Sequence, residues 1–248
     1  MNDNATVRLL LGDCLEIMKD IPDNSVDMIL CDLPYGTTKN QWDTVIPLDI
    51  LWREYLRVCR GAILLFAQTP FDKVLGASNL SMLKYEWIWE KTHTTGFLNA
   101  KKMPLKAHEN ILVFYKKLPT YNPIKSTGHP RKTAIKRKDS GTCYGKQDFE
   151  EIAYDSTERY PRSVLKYSSD KQKSKLHPTQ KPVALLEYLI KTYTKEGDVI
   201  LDNCMGSGST GVACINTGRS FVGIEKDTTY YSTAVKRLKE RTHATNDN

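Results

Sequence analysis

The stretch DVILDNCMGSGSTGVACINTGRSFVGIE, residues 198–225, decides the fold class. DVILD (198–202) is a short apolar run. GSTGVACINTG (208–218) has helical spacing after a glycine start, and RSFVGIE (219–225) is a second apolar run ending on an acid. Strand, glycine-rich loop, helix and strand together make one unit of a layered α/β domain. Within it GSGSTG (206–211) matches GxGxxG, with Glu225 at the end of the next strand. Glycines there let the backbone approach a nucleotide, and a carboxylate at the next strand's end accepts from ribose hydroxyls. Only 23 residues follow Glu225, room for one helix and a tail. The sheet must therefore be completed by strands earlier in the chain, an order that disfavours a nicotinamide-dependent oxidoreductase.

Those earlier strands are legible. VRLLL (7–11) runs into Gly12–Asp13 and a helical CLEIMKDI, and the turn residues 22–25 lead to a buried strand, VDMILC (26–31). LDILWREYLRVCR (48–60) reads as a helix with Gly61 as its C-cap, followed by the strand AILLFA (62–67). YEWIWEK (85–91) and NILVFYK (110–116) read as further strands, with Trp87 and Trp89 sharing one face as core. VALLEYLIKTYT (183–194), after Pro182, and TYYSTAVKRLKERT (229–242) read as helices. Asp13, Asp32, Gln68, the 203–208 loop and Glu225 all fall at the carboxyl ends of strands, where open parallel sheets bind ligands.

Composition narrows the function class. The 248 residues are 40% hydrophobic and 26% charged, a globular balance, and no apolar run reaches the length of a membrane span. The polar start MNDNATVR is no signal peptide, and six cysteines without CxxC spacing indicate neither a zinc ribbon nor a disulfide scaffold. A reducing, cytoplasmic setting is expected, with no metal; His108–Glu109 lacks the second histidine of HExxH. The net charge of +7 is concentrated: residues 116–182 hold 16 basic and 7 acidic side chains, leaving the remainder at −2. A basic segment on a near-neutral body suggests a polyanion-binding surface.

DLPYG (32–36), directly after a buried strand, adds the decisive detail. With LDNCMGSGST (201–210) and HPTQKP (177–182), it resembles the S-adenosylmethionine-dependent amino-methylating DNA methyltransferases of bacteria and their phages. Their catalytic motif is Asp, Asn or Ser, then Pro-Pro and an aromatic, and their cofactor loop is DPFxGSGTT. Here Leu33 replaces the first proline, and Asn203 and Cys204 replace Pro-Phe. The order of catalytic motif, basic insertion, HPTQKP and cofactor loop is that of the circularly permuted β group. HENILVF (108–114) is similar to the strand that the family places before its target-recognition region.

The resemblance implies a Rossmann-like fold with a mostly parallel central sheet. It divides the chain into a catalytic half (1–116), a basic target-recognition insertion (117–176), a cofactor-binding half (177–242) and a frayed tail (243–248). It implies methyl transfer to the N6 amino group of a flipped-out adenine in specific double-stranded DNA sites. Asp32 and the Leu33 carbonyl would accept from the amine, Pro34 would keep Leu33 extended, and Tyr35 would stack on the base. Asp13, Cys14, Thr179, Lys181, Asp202, Gly206, Ser207, Gly208 and Glu225 would form the cofactor site. Lys101, Lys102, Arg131, Lys132, Lys136, Arg137 and Lys138 would meet phosphates; the sequence does not assign the base-edge readers, for which Arg159, Arg162, Gln147 and Tyr144 are only candidates. A cytosine-N4 enzyme, an NAD-dependent oxidoreductase and a catalytically silent DNA-binding protein remain alternatives. The resemblance is also compatible with a homodimer.

Overall fold

The computed structural model describes residues 5–36, 44–135, 153–169 and 180–246. Its larger unit comprises residues 1–122 and 163–248. There β1 (Val7–Leu11), β2 (Val26–Asp32), β3 (Cys59–Ala67), β4 (Leu83–Thr95) and β5 (Lys106–Phe114) share one sheet with β8 (Val164–Tyr167), β9 (Val199–Asp202) and β10 (Ser220–Glu225). The order is β1-β10-β9-β2-β3-β5-β4-β8. The first five strands run parallel; β5 is antiparallel to both β3 and β4, and β8 is parallel to β4.

Burial follows strand position. In β2 both faces are covered, so VDMILC is almost continuously apolar rather than alternating. The neighbouring β3 divides its side chains between two cores. Ile63 and Leu65 meet Leu51, Tyr55 and Val58 of α2 (Leu48–Val58), while Leu64 and Phe66 join Leu186 and Leu189 of α4 (Val183–Tyr193). The short α1 (Cys14–Ile17) and α3 (Phe71–Ser78) lie on the first core, and α5 (Ser209–Asn216) and α6 (Thr228–Asn246) contribute to the second. No helix among the described residues is long and apolar enough to cross a membrane.

Three expectations change. The first helix of the αβ pair stops at Val58 rather than residue 60, and Gly61 lies inside β3. A Cβ on Gly61 would come within 1.8 Å of the Asp27 carbonyl oxygen, beside the register shift of β2 against β3, so this glycine permits strand contact instead of capping a helix. The second change is α3, which the sequence reading omits. Its core-facing repeat is only Phe71 and Leu75, too short a periodic signal. The third concerns the insertion expected over 117–176. Among the described residues the separate unit is Pro123–Arg162, and β8, just beyond it, joins the main sheet.

That smaller unit holds an antiparallel pair, β6 (Lys132–Ile135) with β7 (Ala153–Ser156). Arg131 grips Asp155 through two nitrogens. Arg159 donates to the carbonyls of Pro130, Ser156 and Glu158, and its backbone bridges to Ser126.

Candidate active site

Strands β9 and β2 are parallel neighbours (Met28↔Ile200, Ile29↔Leu201) although far apart in the chain. Their following segments diverge to opposite sides, which opens a crevice at the carboxyl edge of the sheet. A cavity of about 830 Å³ lies there, reached by Asp13, Asp32, Tyr35, Lys181, Asp202 and Glu225. Its size falls in the range of small-molecule sites.

On the β1–β10–β9 side the carboxylates are held largely by backbone. Asp13 caps α1, accepting from the Leu15 amide at 2.9 Å. Glu225 accepts from the Gly206 and Asp227 amides, each at 2.8 Å, one on each oxygen. Each oxygen retains acceptor capacity toward the cavity. Burial raises the Glu225 carboxyl, against the opposing pull of those amides. Asp202 accepts from Thr210 Oγ1 at 2.6 Å and the Cys204 amide at 3.1 Å, so it braces the loop as well as lining the cavity. Burial pushes its pKa up to about 6. Asn203, where the resemblance expects proline, receives the buried Tyr55 hydroxyl at 2.5 Å and so ties the loop to α2.

The remaining residues assigned to the cofactor divide. Cys14, Gly206 and Ser207 line the cavity, and Arg237 fastens the Ser207 carbonyl at 3.1 Å. Gly208 is not among the cavity-lining residues. It starts α5 at φ +77°, and a Cβ there would press on Ala234 and Leu238 at 3.2 and 3.3 Å, so it serves packing against α6. Thr179 lies outside the described residues.

Lys181 is placed with the catalytic motif. Its Nζ stands 2.5 Å from Asp32 Oδ2 and 3.3 Å from Glu109 Oε2, beneath a side chain only 8% exposed. A buried ammonium requires counter-charge, and these two carboxylates supply it. Glu109 Oε1 also accepts from Lys91 Nζ at 2.5 Å and Gln68 Nε2 at 2.8 Å. Burial opposes the charge on Glu109, yet Lys181 and Lys91 outweigh it and hold the carboxyl at about 2. Burial likewise disfavours the Lys181 ammonium, but Asp32 and Glu109 outweigh it and keep its pKa above the usual lysine value. Asp32 ends above the ordinary carboxylate range, because burial and the neighbouring Glu109 charge raise it more than Lys181 and Tyr35 lower it.

The DLPY segment is fixed on both sides. Leu33 sits in the core at 3% exposure, so its departure from proline fills space under the motif. Pro34 follows at the cavity wall. Tyr35 differs from expectation: its hydroxyl donates to Asp32 Oδ1 at 2.5 Å, and its ring stacks on Phe71 at 5.3 Å. A hydroxyl is thus used where a base-stacking ring was expected; the ring still borders the cavity.

Comparison with known proteins identifies the family. A family model described as a DNA methylase of the N6/N4 type matches residues 26–236. The chain belongs to the N6/N4 DNA methylase family. Among relatives of this methylase, DNA adenine methyltransferase YhdJ of Escherichia coli K12 is 30% identical, the alignment covering 97% of this chain and 85% of that protein. Type II methyltransferase M.HinfI of Haemophilus influenzae is 27% identical over 94% of this chain and 68% of its own. The solved M1.HpyAVI–SAM complex has a TM-score of 0.63 and 27% identity, covering 94% of this chain and all of that one. The cytosine-N4-specific PvuII methyltransferase, at 14% identity and a TM-score of 0.65, is similar in fold.

Outside the cleft, Lys101 and Lys102 are exposed on the β4–β5 connection of this methylase. In the smaller unit Lys132 is exposed, whereas Arg131 is paired with Asp155 rather than left for phosphate. Arg159, offered as a base reader, is spent on backbone carbonyls. Lys136, Arg137, Lys138, Tyr144 and Gln147 lie outside the described residues. Trp87 is core, with its Nε1 on the Tyr193 hydroxyl at 2.7 Å; Trp89 is equally buried and also reaches the cavity.

Sequence reasoning missed Glu109 and Lys91. The usable signal was a charged residue opening the apolar run NILVF, and a lysine ending the YEWIWEK strand. Because β5 is antiparallel to β3, its beginning lies at the carboxyl edge. The pairing Ala67↔Asn110 then places Glu109 beside Gln68, and Trp89↔Glu109 brings in the end of β4.

Proposed function

We infer that this chain is a DNA methyltransferase that moves a methyl group from S-adenosylmethionine to the N6 amino group of adenine. The observation that carries the reading is Asp32, an acceptor at a strand end, facing a cavity whose other wall is built from Asp13, Gly206 and Glu225. The donor set fits the cofactor: Glu225 keeps acceptor capacity for ribose hydroxyls, Asp13 suits an adenine amino group, and the 203–207 loop offers backbone to the methionine portion. When bound, S-adenosylmethionine supplies an electrophilic methyl on a sulfonium.

The target nitrogen is a poor nucleophile, since its lone pair is delocalised into the ring. Asp32 and the Leu33 carbonyl would accept its two N–H bonds and favour tetrahedral geometry as positive charge develops. As the N–C bond forms and the methyl's bond to the sulfonium sulfur breaks, the surplus proton would pass from nitrogen to the Asp32 carboxylate. Tyr35 holds the other Asp32 oxygen in place. A paired adenine cannot reach this depth, so the base must leave the stack of double-stranded DNA. Exposed Lys101, Lys102 and Lys132 would hold phosphates. Modification-sensitive sequencing of DNA from cells expressing the chain tests the reading: N6-methyladenine in a defined sequence context is expected, and N4-methylcytosine or no modification overturns it.

A further inference from the structure

Glu109 is divided in its bonding. Its Oε1 accepts from Lys91 at 2.5 Å and Gln68 at 2.8 Å, while the buried Oε2 has no hydrogen bond among the described residues. Lys181 Nζ is only 3.3 Å from that oxygen, but its hydrogen bond goes to Asp32 Oδ2 at 2.5 Å. With Tyr35 on Oδ1, both Asp32 oxygens are engaged by protein donors, although the carboxylate is 22% exposed toward the cavity. Each Asp32 oxygen keeps a second lone pair for a substrate amine, but the positive charge developing on an amine bonded there repels the adjacent Lys181 ammonium.

We propose that Lys181 is a positioning residue that moves its hydrogen bond from Asp32 to Glu109 Oε2 when the target amine enters. The proposal rests on Asp32 being the amine's acceptor. Two features make the transfer favourable. Among the described residues Glu109 Oε2 has only the 3.3 Å ion pair with Lys181 and no aligned hydrogen bond, a costly state for a buried carboxylate oxygen, so the move improves one contact as it releases another. The shift is also short: Lys181 already lies between the two carboxylates and over the Phe66 ring at 5.1 Å, so a small swing of a confined side chain suffices. Two carboxylates and two ammoniums, those of Lys91 and Lys181, balance before the amine arrives. Afterward the nascent cation sits on Asp32 and Lys181 on Glu109, so neither carboxylate is left unpaired. Without the target, the Lys181 hydrogen bond favours the charged form of Asp32 and aims its carboxylate.

Among the described residues, the charged and titratable groups facing this site are Asp32, Tyr35 and Cys31 from β2 and its following loop, Lys91 from β4, Glu109 from β5 and Asp202 from β9. The two partners of Lys181 therefore have opposite expected effects on the pH dependence of single-turnover methyl transfer. Lys181→Met removes the cation beside Asp32 and should move the ascending limb upward by about 1–3 pH units. Glu109→Gln removes a negative neighbour and the alternative partner. Its limb should move downward, with a plateau rate on the order of 10-fold to 100-fold lower and unchanged DNA affinity, since Lys181 then stays on Asp32. Lys181→Arg keeps the charge and should restore the wild-type limb position. S-adenosylhomocysteine binding by each variant reports that the cleft is folded.

Shifts of the same sign, or none in folded variants, overturn the proposal. So does a structure of the wild-type enzyme with S-adenosylhomocysteine and duplex DNA in which Lys181 still bonds Asp32; the expected partner there is Glu109. Full activity of Asp32→Ala would instead defeat the catalytic reading on which the proposal rests.

Discussion

The two walls of the cleft hold their carboxylates in different ways. On the β1–β10–β9 side, Asp13, Asp202 and Glu225 accept backbone amides at 2.8–3.1 Å, all from their own turns or the adjoining loop. On the β2–β3–β5–β4 side, Asp32 and Glu109 are answered by Lys181, Lys91, Gln68 and Tyr35, side chains from four separate segments. A carboxylate held by amides needs only a correctly shaped turn. An ion network needs every segment in place, and losing one member strands a buried charge. The first wall is therefore suited to affinity, and the second to a charge that must be available at one step.

This contrast can be broken. Asp32→Ala should lower methyl transfer by about 10²- to 10⁴-fold while calorimetry finds S-adenosylhomocysteine affinity unchanged. If cofactor binding fell equally, the walls would not be separable. On the opposite wall, Asp202 should leave a mark on stability. In the unfolded chain it ionises near pH 4, but in the folded state only near 6. Between those values the folded state alone keeps the proton, so the stability it contributes is full below pH 4 and lost as pH rises through 6. Relative to Asp202→Asn, wild type should lose roughly 3 kcal/mol across that window, measured by urea unfolding.

Smaller effects sharpen the comparison. Glu225→Gln should weaken S-adenosylhomocysteine binding about 10- to 100-fold with turnover at saturating cofactor retained, as loss of a charge-assisted hydrogen bond requires. Tyr55→Phe strands Asn203 Oδ1 in the core and should lower unfolding free energy by about 1–3 kcal/mol. Alanine at both Lys101 and Lys102, outside either wall, should leave turnover at saturating DNA intact. It should reduce the salt slope of DNA binding by about 2, measured by fluorescence anisotropy.

Legibility followed the same division. Asp13, Asp32, Gly206 and Glu225 were readable because each ends a strand or opens a turn, and turn chemistry is written in adjacent residues. Lys181 was readable as part of HPTQKP, but its partners were not, since they lie at positions 32 and 109. Gly61 misled for a related reason: a glycine after a helical pattern resembles a cap, whereas its role is set by the Asp27 carbonyl on the neighbouring strand. Arg131 and Arg159 read as free positive charge until folding supplied Asp155 and a set of carbonyls.

The sequence by itself determined the layered α/β class, the permuted order of motifs and the local shape of the cofactor loop. These depend on periodicity and on turn residues within a few positions of one another. Only the tertiary structure decided which charges meet. The antiparallel β5 brings its first residues, and the hairpin its partner β4, to the edge where β2 ends. Strand order is a property of the packed sheet, and with it came the Asp32–Lys181–Glu109–Lys91 network that no single stretch of the chain contains.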